Sequence, residues 1–181
     1  MENPDEIIYI KRILDGETNL FSLFLERYSR TIHGLIVRII PSNEDAEELT
    51  QDTFLKAFRK LDTFKGDCSF STWLFRIAYN TAVSATRKKK IIFPFIDETM
   101  LENVSEELMD TVFEEDDNEY RLKRLEEAIT VLNVEEKTLI TLYYTDGKSI
   151  AEIAGLLEQT TDNVKIKLFR VRKKIYVLMT K

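Results

Sequence analysis

The sequence predicts an all-α chain: two small helical domains joined by an acidic flexible linker, the C-terminal one a helix-turn-helix. Three observations predict this class. Only 5 Gly and 3 Pro occur in 181 residues, too few for a turn-rich β protein. Apolar residues recur at three- and four-residue intervals through most of the chain. An acidic block, Asp97 to Glu119, holds eleven acids and no base and separates the two periodic halves.

The elements follow in order. Asn3 is placed as an N-cap with Pro4 at the first helical position, opening a short helix to about Leu14 that "DGE" ends. Leu20, Phe21, Phe24, Tyr28, Ile32, Leu35, Ile36 and Ile39 form the apolar stripe of a long second helix, stopped by Pro41. Ser42 or Asn43 caps "EDAEELTQDTFLKAFRKL", whose first turn carries acids where the helix dipole favours them. Its apolar stripe is Ala46, Leu49, Thr53, Phe54, Ala57, Phe58 and Leu61. The loop "DTFKGDCS" leads to a fourth helix, "FSTWLFRIAYNTAVSATRKKK", and Pro94 interrupts any helix running on through Lys90. This gives a first domain over 1–90, a linker over 91–119 that its own charge keeps extended, and a second domain over 120–181. The second domain contains "LKRLEEAITVL", "VEEKTLITLYYTD" ended by "DGK", "SIAEIAGLLE" and "TTDNVKIKLFRVRKKIYVLM".

Charge narrows the function classes. The chain has 26 Lys+Arg against 32 Asp+Glu, a net −6. Without the block Asp97–Glu119, 21 acids face 26 bases. An acidic protein is thus a basic protein with an acidic middle, which suggests a nucleic-acid partner. The single cysteine, Cys68, leaves no internal disulfide or Cys-based zinc site and fits a reducing compartment. "MENPDEIIYIKR" lacks the pattern of a signal peptide, and no apolar run approaches the roughly 20 residues of a membrane span. A soluble, cytoplasmic protein is expected. His33, the only histidine, has no Ser or Cys near in sequence to form a triad. The linker acids lack EF-hand spacing, and no Walker A or dinucleotide fingerprint occurs. No enzyme, cofactor, metal or small-molecule substrate is expected.

The basic helix near the C-terminus raises the functional question. From Asn163 to Lys181 there are seven cations and no acid. Val164, Leu168, Val171 and Ile175 fall in one narrow core stripe. The opposite face carries Asp162, Ile166, Phe169, Arg170 and Lys173, flanked by Lys165. Exposing Ile166 and Phe169 among cations is unfavourable unless something covers them. A DNA major groove would, with thymine methyls and sugars on the apolar side chains and phosphates and guanine edges on the cations. A solvated basic face is the plainer alternative. The preceding helix favours the first reading: Ile150, Ile153, Ala154 and Leu157 make its buried set, with Ala151 and Ala154 small enough for close contact. Two helices joined so tightly, the second basic, make a helix-turn-helix. Its turn, "LEQTT", puts Glu158 where glycine would supply a positive φ. Gln159 sits where an apolar residue normally plugs the core.

Three stretches carry a family resemblance: "DAEELTQDTFLKAFRKLDTFKG", "CSFSTWLFRIAYNTAVSATRKKK" and "IAEIAGLLEQTTDNVKIKLFRVRKKI". In this order they resemble a bacterial sigma factor of the sigma-70 family, in its minimal two-domain extracytoplasmic-function (ECF) group. The resemblance implies a subunit that binds core RNA polymerase, through the β′ coiled coil and the β subunit, and directs promoter recognition, DNA melting and initiation. It places Glu48, Gln51, Asp52, Leu55 and Arg59 on the polymerase. The loop Lys65–Ser71 becomes the pocket for a base flipped out of the non-template strand, with Lys65, Asp67 and Ser69 as its contacts. Arg76, Asn80, Ser84, Arg87 and Lys88 form a stripe tracking the −10 strand, while Trp73 is assigned to the core. Lys165, Ile166, Phe169 and Arg170 match the −35-reading positions, with Arg172 and Lys173 on phosphates. Family members often have a small polar residue in place of Ile166. The acidic linker would thread through the polymerase, and the group admits an anti-sigma factor among its partners. The alternative, a stand-alone helix-turn-helix regulator, explains 120–181 but leaves "STWLFRIAYNTAVSATRKKK" without a role.

Overall fold

The computed structural model describes residues 4–40, 42–88, 101, 103–105, 108 and 118–180. The chain divides into two compact units, Met1–Lys90 and Ile91–Lys181. The Asn3 cap, the Pro41 stop, the break at Pro94, the Lys88 side chain, Lys181 and most of the acidic segment lie outside the described residues.

The first unit holds α1 (Pro4–Leu14), α2 (Ser22–Ile39), α3 (Asn43–Arg59) and α4 (Phe70–Lys88). A 3-10 turn over Thr18–Phe21 precedes α2, so the second helix starts two residues after Leu20. Helix α2 ends at Ile39, and Ile40 is extended, as a residue before proline favours. Ser42 caps α3, its hydroxyl accepting from the Asp45 amide at 3.2 Å. The three long helices close on Phe24, Ile36, Ile39, Ala57, Leu61, Phe70, Leu74 and Ala78, all 2% exposed or less. Phe70 is the hub of an aromatic cluster, its ring 4.3 Å from Phe24, 5.6 Å from Trp73 and 5.8 Å from Tyr28 and Phe64. Burying each such ring is worth about 1.5–3 kcal/mol. Trp73, expected in the core, is half-buried in this cluster.

Helix α1 is pinned by a buried acid. The Glu6 carboxylate accepts from Arg27 Nη1 at 2.8 Å and from the Tyr28 hydroxyl at 2.5 Å. Burial, then the hydrogen bond to Glu6, pushes the Tyr28 phenol up to about 12. Phe58 departs from the predicted α3 stripe. It is 38% exposed, edge-on to Phe21 at 5.1 Å, at the rim rather than in the core.

The second unit holds α5 (Asn118–Thr130), α6 (Val134–Ile140), α7 (Ile150–Leu157) and α8 (Thr161–Thr180). Helix α8 packs against the other three. Ala128, Leu132, Leu139, Leu142, Ile153, Val164 and Val171 form the core. Helices α6 and α7 each open with a reciprocal capping box, Asn133 with Glu136 and Ser149 with Glu152. The Arg124 guanidinium of α5 donates to the Met179 carbonyl at 3.1 Å, serving an open carbonyl of the last turn of α8. The sequence predicts one helix through "VEEKTLITLYYTD", but α6 widens into a π turn over Thr141–Thr145, with Asp146 N–H on the Thr141 carbonyl at 2.9 Å.

Packing corrects three further expectations. Ala151 is exposed instead of making a close helix contact, and Ile150, Leu157 and Ile175 are half-buried rather than buried. The acidic segment is not a plain extended spacer throughout: Val104, 6% exposed, packs with Val177, and Leu101, Phe169 and Tyr176 close over the pair.

Candidate nucleic-acid interface

The helix-turn-helix is built from α7, a three-residue turn and α8. Glu158 adopts φ 55°, ψ 43°, the left-handed conformation the turn demands and glycine supplies without strain. Gln159 donates its backbone N–H to the Ala154 carbonyl at 2.9 Å. Its side-chain Oε1 is buried with no hydrogen-bond partner among the described residues. Thr160 caps α8 by accepting from the Asn163 amide at 3.2 Å.

The cations of α8 sort into two sets. Lys174 Nζ lies 2.8 Å from Glu136 and Lys167 Nζ 3.8 Å from Glu135, both acids belonging to the first turn of α6. These two lysines tie helices together. Lys165, Arg170 and Lys173 instead line a groove of about 680 Å³ with Ile166 and Phe169, and Arg172 also reaches its wall. Ile166 is 54% exposed, Lys173 Nζ sits 4.8 Å over the Phe169 ring, and Lys165 pairs loosely with Asp162 at 3.6 Å. The structure thus gathers all six predicted −35 residues around one groove.

Sequence reasoning missed Leu101, Tyr143 and Tyr144 among the residues that line that groove. Tyr143 and Tyr144 line it, 38% and 57% exposed, with their rings edge-on at 4.9 Å. The π turn sets them there, and π turns recur at functional sites. Their sequence signal was the aromatic pair just before "TDG".

In the first unit, the loop before α4 has Lys65 and Asp67 exposed and Gly66 at φ 77°. Ser69 is half-buried. Its hydroxyl accepts from the Thr72 amide at 3.2 Å and lies 2.9 Å from the Ser71 and Thr72 hydroxyls, so it also caps α4. Along α4, Asn80, Ser84 and Arg87 are exposed and Arg76 is half-buried. On α3, Glu48, Gln51, Leu55 and Arg59 are exposed, with Leu55 at 53%, and Asp52 is half-exposed 3.9 Å from Lys56. Phe58 joins Leu55 on this side of the rim. Among the described residues no cluster of His, Cys, Asp and Glu could hold a metal ion, and no helix is long and apolar enough to cross a membrane.

Comparisons with known proteins show the family. Residues 24–91 match the family model for sigma-70 region 2, and 122–175 match that for sigma-70 region 4. The ECF RNA polymerase sigma-E factors of Salmonella typhimurium and of Escherichia coli K12 are each 32% identical over 193 residues, covering 96% of this chain and 94% of theirs. The chain belongs to the ECF sigma factors of the sigma-70 family. This sigma factor has core RNA polymerase and promoter DNA as partners and directs initiation at specific promoters. Its relative of the same name from Haemophilus influenzae is 31% identical over 92% of this chain and 90% of its own. Two solved structures share the fold at 23% identity. CnrH with the cytosolic domain of CnrY has a TM-score of 0.61 over 96% of both chains. The sigma factor RpoE with the anti-sigma factor NepR, from Bartonella quintana, has 0.58 over 88% of this chain and 96% of that one.

Proposed function

We propose a division of labour within this sigma factor. The exposed face of α3, with Glu48, Gln51, Asp52, Leu55 and Arg59, docks on the β′ coiled coil of the polymerase, whose β subunit the chain also contacts. Lys65, Asp67 and Ser69 take a base flipped from the −10 strand, with the neighbouring strand along Arg76, Asn80, Ser84, Arg87 and Lys88. Lys165, Ile166, Phe169 and Arg170 read the −35 element, and Arg172 and Lys173 hold its phosphates. The segment 91–119 joins a first domain at 1–90 to a second at 120–181. The protein works in the cytoplasm and catalyses no reaction of its own; an anti-sigma factor, as named for the Bartonella relative, would hold it inactive.

One observation carries this reading: Lys167 and Lys174 are spent on α6, while Lys165, Arg170 and Lys173 line a groove with Ile166 and Phe169. A merely solvated basic face gives no reason for that sorting.

Run-off transcription on a fragmented genome, with core polymerase and with or without this protein, tests it. Transcripts that appear only on addition supply the promoters. On such a promoter Arg170→Ala lowers holoenzyme affinity by about tenfold to a hundredfold, the worth of a good base contact. Arg172→Ala weakens binding across sequences and lowers the salt slope by about one. Equal behaviour of the two variants would remove the distinction between base and phosphate contacts. Sequence-specific duplex binding by the protein alone, with no new transcripts, would favour a stand-alone regulator.

A further inference from the structure

The groove on α8 is not fully open in the free chain. Leu101, from the acidic segment, lines it beside Ile166 and Phe169. Three residues on, Val104 is 6% exposed and sits on Val177, with Phe169 and Tyr176 against the pair. A backbone hydrogen bond from Val104 N–H to the Leu101 carbonyl, 3.4 Å, turns the segment so that both side chains meet the helix. Phe169 therefore has two claimants: this apolar clip, and the DNA of the proposed −35 contact.

We propose that Leu101, anchored by the seat of Val104 on Val177, forms an intramolecular clip that covers part of the DNA-facing groove of α8 and must leave before the groove takes duplex. Apolar contact anchors it, and charge favours it: the stretch Asp97–Glu119 holds eleven acids and no base, while Asn163–Lys181 holds seven bases and no acid. Opposite net charge favours association of the two stretches. Any partner that draws the segment away opens the groove, which couples duplex binding by the second unit to engagement of the linker. The inference rests on the reading of α8 as the DNA face, and its test separates the two.

The test uses the full chain and a labelled, short, mixed-sequence duplex at low salt, followed by fluorescence anisotropy. Leu101→Ser with Val104→Ser frees the clip without altering charge. A groove occupied nine-tenths of the time predicts a gain of about tenfold in affinity. A second variant closes it: Val104→Cys with Val177→Cys in a Cys68→Ser background, where oxidation joins the clip to α8. The oxidised chain binds more weakly than the same chain after dithiothreitol. A freed chain of unchanged helicity that binds no tighter overturns the clip, as does a locked chain that binds equally in both redox states. Should the serine variant lose helicity, the locked chain decides; failure of the two cysteines to join under oxidant also overturns the proposal. Lys165→Glu with Arg170→Glu in the freed chain abolishes the gain. If it leaves the gain intact, the clip stands and the assignment of those cations to DNA falls.

Discussion

Helices α4 and α8 both carry cations toward nucleic acid in the proposed function, but they rest on different foundations. Helix α4 lies on a filled core in which Phe70, Leu74, Ala78 and Ala82 are 2% exposed or less, braced by five aromatic rings. Helix α8 lies on smaller aliphatic residues, follows a residue held at positive φ, and stands beside a buried amide oxygen with no hydrogen-bond partner among the described residues. The difference fits the tasks. Catching one flipped base needs a pocket held rigidly, because an unstacked base is costly and its contacts must be in place beforehand. Docking on a duplex tolerates a helix that adjusts, since phosphate attraction acts over several ångströms.

The largest effect tests the stronger side. Phe70→Ala removes the hub of the aromatic cluster and costs about 3–5 kcal/mol. The only tryptophan, Trp73, lies in that cluster, so its fluorescence in urea follows the first unit alone. The midpoint falls sharply, while amide exchange over 150–172 stays as in the parent. Parallel loss of protection in both units would show that the contrast between them is not one of independent cores.

The second effect sharpens the weaker side. Glu158→Gly relieves the left-handed strain, and Gln159→Leu replaces a buried amide oxygen without a hydrogen-bond partner among the described residues by an apolar side chain. Together they stabilise the second unit by about 2 kcal/mol, read as slower amide exchange across α7 and α8. Unchanged or faster exchange would mean that neither feature weakens the unit. Stiffening this turn also reports on function: lower promoter affinity in the more stable variant would tie adjustment of α8 to binding.

Much of this architecture was legible because local chemistry dictates it. Ser42 before an acidic first turn gave the α3 cap, and the turn's need for a positive φ marked Glu158 before any backbone was seen. Helical periodicity put Val164, Leu168 and Val171 in the core and Ile166 outside. What failed depended on partners far along the chain. A helical wheel gives Phe58 a direction but not the depth of the neighbour it meets, and that neighbour, Phe21, leaves it at the rim. The π turn at Thr141–Thr145 occurs among residues that would equally continue an α-helix, so no residue type announces it. Leu101 and Val104 are apolar islands in an acidic stretch, and only their seat on α8 gives them meaning. The proposed polymerase and −10 contacts came from family resemblance, because an exposed charged face has the same pattern whether solvent or a partner covers it; only the α8 face, with Ile166 and Phe169 among cations, suggested DNA by itself.

The smallest effect concerns the entrance to the helix-turn-helix. Ser149 Oγ accepts from the Glu152 amide at 3.2 Å and donates to Glu152 Oε2 at 2.7 Å, while the Ser149 amide donates to the same oxygen at 2.8 Å. These hydrogen bonds, from the serine side chain first and its backbone second, hold the Glu152 carboxyl below its ordinary value of 4.5. A carboxylate with a depressed folded-state pKa stabilises the fold at pH above its unfolded value and loses that contribution as pH falls through the folded one. The second unit therefore weakens on acidification below the ordinary carboxylate range. Ser149→Ala removes the cap and costs about 1 kcal/mol near neutrality. It also removes the side-chain share of the depression, so the acid-induced loss shrinks. Helix α4 has no such carboxylate in its first turn, so acid should act on the entrance of α7 and not on that of α4. Amide exchange of α7 across that pH range checks the point: an undiminished acid response in the alanine variant would place the sensitivity elsewhere in the unit.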